Sequence, residues 1–92
     1  MSSDPSFAML IEDVFFIRGR GTVVTGKIDT GSLHTGDTVQ LLRNGVKRPV
    51  TVAGVEMFRK VLDQAGPGDN VGLLLSELTK DDVARGDLLT GS

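Results

Sequence analysis

The sequence contains no cysteine, no tryptophan and no tyrosine, and a single histidine in 92 residues. Without cysteine there is neither a disulfide framework nor a thiolate metal site, which fits a reducing compartment. The histidine, His34, sits in a turn-rich stretch, and no Gly-x-Ser-x-Gly motif occurs. A Ser–His–Asp catalytic group is therefore not expected, and an isolated loop histidine is ordinarily solvated. With one histidine, metal binding would fall to carboxylates, and Asp81-Asp82 is better used at the start of a helical turn, so no metal site is expected. Four phenylalanines are the only aromatic residues, too few for extended stacking on nucleic-acid bases. No apolar run is long enough to cross a bilayer; the longest, Val71 to Leu75, is broken by Gly72. Strong basicity is also missing. A net charge of −2 does not suit generic gripping of a phosphate backbone, so any nucleic-acid contact should be local and specific. Gly19-Arg20-Gly21 is glycine-rich, but no Gly-x-x-x-x-Gly-Lys-Ser/Thr loop occurs, so nucleotide binding of that kind is excluded. The chain is not expected to be an enzyme by itself.

What the sequence does have is glycine, twelve residues of it. Glycine at that density marks many turns and hence many short strands. Residues 1–6 read as a disordered leader without the basic and apolar regions of a signal peptide, and residues 7–92 as one domain. Phe7 to Phe16 reads as a strand interrupted by Glu12-Asp13. Arg18 to Gly21 is a turn, and Thr22 to Asp29 alternates as a second strand. Gly26 in its middle predicts a bulge or a close backbone approach. Residues 31–37 read as a loop and Thr38 to Leu42 as a strand. Asn44-Gly45 is a strong hairpin signal. Lys47 to Phe58 reads as a strand pair or one strand bent at Gly54, residues 60–65 as a connector, either a short turn or extended, and Gly66 to Asp69 as a turn. Asn70 to Leu75 is a buried strand, Thr79 to Gly86 a capped helical turn, and Asp87 to Thr90 a last strand. Gly-Asp precedes three strands, at Gly36-Asp37, Gly68-Asp69 and Gly86-Asp87. There glycine takes the strained dihedral and aspartate bonds back to the backbone. Six or seven short strands at this spacing indicate a small β-barrel or sandwich.

Recognition is the remaining class of function. On residue chemistry alone, Glu12-Asp13 are exposed edge positions, Glu56 and Arg59 a solvated or ion-paired strand end, Asn70 a turn residue, and Phe15, Ile17, Val23 and Leu74 core.

Five segments together resemble domain 2 of bacterial elongation factor Tu: Gly19-Arg20-Gly21-Thr22-Val23-Val24-Thr25-Gly26, Gly31-x-Leu33-x-x-Gly36-Asp37-x-Val39, Gly54-Val55-Glu56-Met57-Phe58-Arg59-Lys60, Gly68-Asp69-Asn70-Val71-Gly72 and Arg85-Gly86-Asp87. The first two are shared by translational GTPases in general; the third and fourth are more specific. The resemblance runs from Phe7 to about Thr90. It implies an all-β fold, a six-stranded Greek-key β-barrel, here with one short helical turn near the C-terminus. It implies a module that helps bind the 3′ aminoacyl end of aminoacyl-tRNA for delivery to the ribosome. Glu56 would contact the adenosine, Ile17, Val23 and Leu74 would form an apolar floor under the base, and Arg59 would reach the ribose–phosphate. Asn70, Glu12, Asp13 and Phe15 would border the esterified amino acid. An apolar slot with a few orienting polar groups is chemically suited to a flat base. The implied partners are aminoacyl-tRNA, a GTPase domain and a third domain of a parent chain, and the ribosome, with no membrane. No cofactor is implied in this domain, since GTP and Mg belong to the GTPase domain, and the implied location is bacterial cytoplasm or an organellar matrix. Two departures stand out. Leu10 replaces the family's usual proline before Glu12-Asp13, and Arg43-Asn44-Gly45-Val46 is more compact than the loop of many relatives. Alternatives are domain 2 of another translational GTPase, or a structural interdomain or protein-interaction barrel.

Overall fold

The computed structural model describes residues 4–57 and 60–91. Eleven strands follow one another: β1 (Ala8–Leu10), β2 (Asp13–Ile17), β3 (Gly21–Thr30), β4 (Leu33–His34), β5 (Thr38–Arg43), β6 (Val46–Thr51), β7 (Gly54–Met57), β8 (Lys60–Leu62), β9 (Gln64–Ala65), β10 (Asn70–Leu74) and β11 (Leu88–Gly91). All pairings among them are antiparallel. The hydrogen-bonded order runs β6-β5-β11-β1-β3-β10-β7-β8, with β2 on β3 beside β1 and a small β4-β9 pair apart. β6 leads directly into β7. Between them Val52 donates its N–H to Asp37 O and Ala53 donates to Leu74 O, each at 2.8–2.9 Å. One bent strand thus leaves β5 and joins β10, which closes the sheet on itself. Counting β1 with β2 and β6 with β7, six strands make the barrel; a closed sheet leaves few free edges.

The core follows the strand period of two. Met9, Val24, Ile28, Val39, Leu41, Val50, Val55, Val71, Leu73 and Leu89 all point inward and are buried. Thr22 joins them, its hydroxyl donating to Leu78 O at 2.8 Å, so the buried oxygen is satisfied.

The Gly-Asp turns form three times with the same geometry. Asp37, Asp69 and Asp87 each accept the backbone N–H three residues back, from His34, Gly66 and Ala84, at 2.8–2.9 Å. Each aspartate N–H donates to that same residue's carbonyl at 3.1 Å. The glycine ahead of each aspartate has φ near +90° (93°, 89° and 94°), a region that glycine enters without a Cβ penalty. Asp37 is almost fully buried. Asp37→Ala should lower stability by about 1–3 kcal/mol, since it leaves the His34 N–H without its acceptor. Urea unfolding measures this, and an unchanged midpoint would show the carboxylate to be dispensable. The Asn44-Gly45 hairpin also forms, with both residues at positive φ.

Three expectations need correction. The first concerns residues 79–85, which make no helical turn. Asp82 accepts the Thr79 N–H at 2.7 Å and donates its own N–H to Thr79 O, which closes a tight turn. The Asp87 turn follows immediately, so the segment is two side-chain-closed turns in series. The Thr79 N–H also holds the Asp82 carboxyl below the ordinary aspartate value. Second, residues 31–37 are not wholly loop: they contain β4, which pairs with β9, while the connector over residues 60–65 takes its extended alternative as β8 and β9. Third, the bend in the β6–β7 strand lies at Val52-Ala53 rather than Gly54, because that is where the backbone changes partners.

Candidate functional site

Antiparallel residues directly opposite one another point to the same face of a sheet, and the register therefore defines the site. One row crosses four strands as Phe15, Val23, Leu74 and Gly54. The next row is Asp13, Thr25, Gly72 and Glu56. Lys27 opposite Asn70 continues the same face at one end, and Ile17 opposite Gly21 at the other. Asp13, Phe15, Ile17, Val23, Glu56, Asn70 and Leu74, seven of the residues singled out in the sequence, thus share the outer face of the β2-β3-β10-β7 sheet. The intervening residues Val24, Leu73 and Val55 face the core.

Glycine gives this face its relief. Gly72 lies inside the second row and Gly54 ends the first, positions where any other residue would raise a side chain. A Cβ on Gly72 would sit 3.4 Å from Val23 Cγ1 and 3.9 Å from Thr25 Cγ2. The result is a pocket of about 400 Å³ lined by Glu12, Val23, Thr25, Gly26, Glu56, Met57, Asn70, Val71 and Gly72. That volume is at the small end for ligand clefts and suits a single ring system with its sugar.

Glu12 reaches this pocket because the first strand breaks. Leu10 ends β1, and the Ile11 N–H turns to Asp87 O. Glu12 then donates its N–H to Thr25 O at 2.8 Å, beside the Asp13–Thr25 pair. Two residues oppose one, which is a β-bulge, and it aims Glu12 at the hollow. Gly26 makes the crossing possible. A Cβ there would stand 2.3 Å from Leu10 O, so the expectation of a close backbone approach is met.

Of the residues expected in a site, Glu12, Val23, Glu56 and Asn70 line the pocket itself. Asp13, Phe15, Ile17 and Leu74 flank it on the same face. Arg59, with Phe58, lies outside the described residues. Phe15 and Ile17 are not core: their side chains face outward, and Phe15 is 52% exposed. Thr25, Gly26, Met57, Val71 and Gly72 were not singled out as site residues. Gly72 carried a usable signal, since glycine inside a strand marks a place where something approaches closely. Arg20 was also missed. Its guanidinium donates to Glu56 Oε1 and forms an ion pair with it across 36 positions of sequence.

The face is mixed in charge, with Glu12, Asp13 and Glu56 offset by Arg20 and Lys27. Among the described residues no cluster of histidine or carboxylate groups could hold a metal ion.

The family model for elongation factor Tu domain 2 matches residues 21–90. The chain belongs to that family. The matched span holds β3 through nearly all of β11, and with them Val23, Glu56, Asn70 and Leu74. Glu12, Asp13, Phe15 and Ile17 precede it and enter the site through their pairing with β3. The architecture is that of a translation-factor domain 2, a domain that carries no catalytic group of its own.

Proposed function

We propose that the outer face of β2-β3-β10-β7 binds the aminoacylated 3′ end of tRNA within a larger elongation factor, for delivery to the ribosome. The observation that supports this most directly is the convergence of Glu12, Val23, Glu56 and Asn70 on one glycine-floored pocket of about 400 Å³. A terminal nucleoside is the ligand such a pocket suits. Val23 and the flanking Leu74 offer apolar contact to a flat base, Glu56 and Asn70 offer hydrogen bonds, and Glu12 and Asp13 stand where an esterified amino acid with its free ammonium group would lie. The modest charge also fits, since phosphate gripping would fall to other domains of the parent chain. GTP and Mg would be held by that parent's GTPase domain, and the working location would be bacterial cytoplasm or an organellar matrix.

A titration tests the reading. Alone, the domain should bind a 3′-O-aminoacyl-adenosine weakly, with Kd of order 1 mM or above, because the contacts made by the other domains are missing. Amide shifts should concentrate at Val23, Glu56, Asn70 and Gly72. Asn70→Ala should weaken binding by about tenfold, the cost of one well-placed hydrogen bond. Absence of shifts on this face would favour a structural or protein-interaction barrel. The strongest ground for that reading is the exposed Phe15-Phe16-Ile17 run on β2. Discrimination between elongator and initiator aminoacyl-tRNA by the parent chain would separate an elongation factor from another translational GTPase.

A further inference from the structure

Arg20 belongs to the turn between β2 and β3, where its N–H donates to Ile17 O at 2.9 Å. Gly19 and Gly21 on either side have φ of 84° and 121°, so the turn is tight and the direction in which Arg20 leaves it is set by the backbone. Glu56 lies on β7, and β10 separates β7 from β3. The Arg20–Glu56 contact therefore crosses β10, at the level of Leu74 and Gly72. Gly54, opposite Leu74, raises no side chain on that face beside Glu56. The contact engages Glu56 Oε1, and no described residue bonds Oε2. Both side chains are well exposed, 43% for Arg20 and 35% for Glu56. An ion pair this open contributes little to stability, so its consequence lies in geometry.

We propose that Arg20 is a positioning residue. It fixes the Glu56 carboxylate so that one oxygen is taken by the guanidinium and the other faces the pocket as a hydrogen-bond acceptor. The inference rests on the nucleoside reading of the pocket and names what that reading leaves open. A carboxylate held in this way can only accept, so it selects a ligand that offers an N–H or O–H at that point. Without Arg20 the glutamate side chain regains its rotamers, and it must be ordered again at each binding event. Arginine suits the task better than lysine because its planar fork fixes an orientation as well as a distance.

The test is a double-mutant cycle on Arg20 and Glu56, with 3′-O-aminoacyl-adenosine as probe and NMR titration as readout. Arg20→Gln should weaken binding about three- to tenfold, in the range of one oriented charged hydrogen bond. Its thermal midpoint should stay within about 2 °C, as expected for an exposed pair. Glu56→Gln should weaken binding by at least as much. The double variant should bind no worse than Glu56→Gln alone, because Arg20 acts only through Glu56. Arg20→Lys should recover part of the loss. The exchanged pair, Arg20→Glu with Glu56→Arg, should restore the ion pair but not the binding, because the acceptor has moved to the turn. Additive losses, or full affinity in Arg20→Gln, would overturn the proposal and leave the nucleoside reading intact. Failure of the unsubstituted domain to bind the probe would defeat both.

Discussion

Gly26→Ala should destabilise the domain by about 3 kcal/mol or more, a large share of the stability of a small barrel. The new methyl group would stand 2.3 Å from Leu10 O and 3.2–3.3 Å from the Met9 side chain. Methionine can move aside, but a backbone carbonyl on a paired strand cannot without dragging β1 with it. Leu10 pairs with Leu88 on β11, and the next residue, Ile11, donates to Asp87 O and accepts from Gly86 N–H. A shift of β1 would therefore break contacts on both of its sides. Chemical denaturation of the variant measures the cost. A loss below about 1 kcal/mol would show that the crossing can spread without unfolding, contrary to the packing of these two strands. Gly36→Ala is the control. Nothing surrounds that glycine, and its φ of 93° makes the substitution a matter of backbone strain alone, at about 1–2 kcal/mol.

Gly72→Val should do the opposite, abolishing binding and sparing the fold. Gly72 lies in mid-strand, with its Cα direction toward the pocket, and its nearest neighbours are the tips of Val23 and Thr25 at ordinary or slightly tight distance. A branched side chain is well suited to a strand, so stability should hold or rise slightly. The same side chain would rise from the floor between Thr25 and Glu56 and fill the hollow. Affinity for an aminoacyl-adenosine should fall by at least about thirtyfold, equivalent to about 2 kcal/mol. Isothermal titration paired with thermal melting separates the two effects. Retained affinity would show that the ligand rests elsewhere on the barrel.

Local chemistry was the legible part of this fold. Each Gly-Asp turn, the Asn44-Gly45 hairpin and the interruption at Glu12-Asp13 depend on dihedral preferences and on bonds within four residues, and these a sequence states directly. Gly26 was legible for the same reason: a strand rarely spends a residue without a side chain unless another chain segment passes there. What the sequence left open depends on which strands meet. The bend fell at Val52-Ala53 because Asp37 and Leu74 wait there as acceptors, and neither is near in sequence. β8 and β9 have no alternation to announce them; they are strands because β7 and β4 offer free edges. The helical turn failed where Asp82 and Asp87 had a closer backbone partner than the helix would provide.

The site was legible in identity more than in arrangement. Alternation shows that Phe15 and Ile17 share a face of β2, but not whether that face is inside or outside, and only the register joins it to Val23, Leu74 and Glu56. Both faces of β3 carry valine, and only the closed barrel decides that Val24 is core while Val23 supports a pocket. The Arg20–Glu56 contact was hidden for a related reason. Nothing in either segment points to the other until β10 is laid between β3 and β7.

The position of β11 has a consequence for how the chain reaches this state. Of the barrel's described strands it is the last to be made, and it pairs with β1, the first of them, on one side and with β5 on the other. During synthesis the earlier strands can associate, but two edges stay open until residues 88–91 have left the ribosome. Closure is therefore late within the domain, long-range and cooperative, and slow in the manner of folds that pair a domain's first and last strands. The hollow shares this timing: Glu12 is aimed by a bulge whose neighbouring residue, Ile11, is tied to Gly86 and Asp87, so a nascent chain has no finished pocket before its last turn is in place.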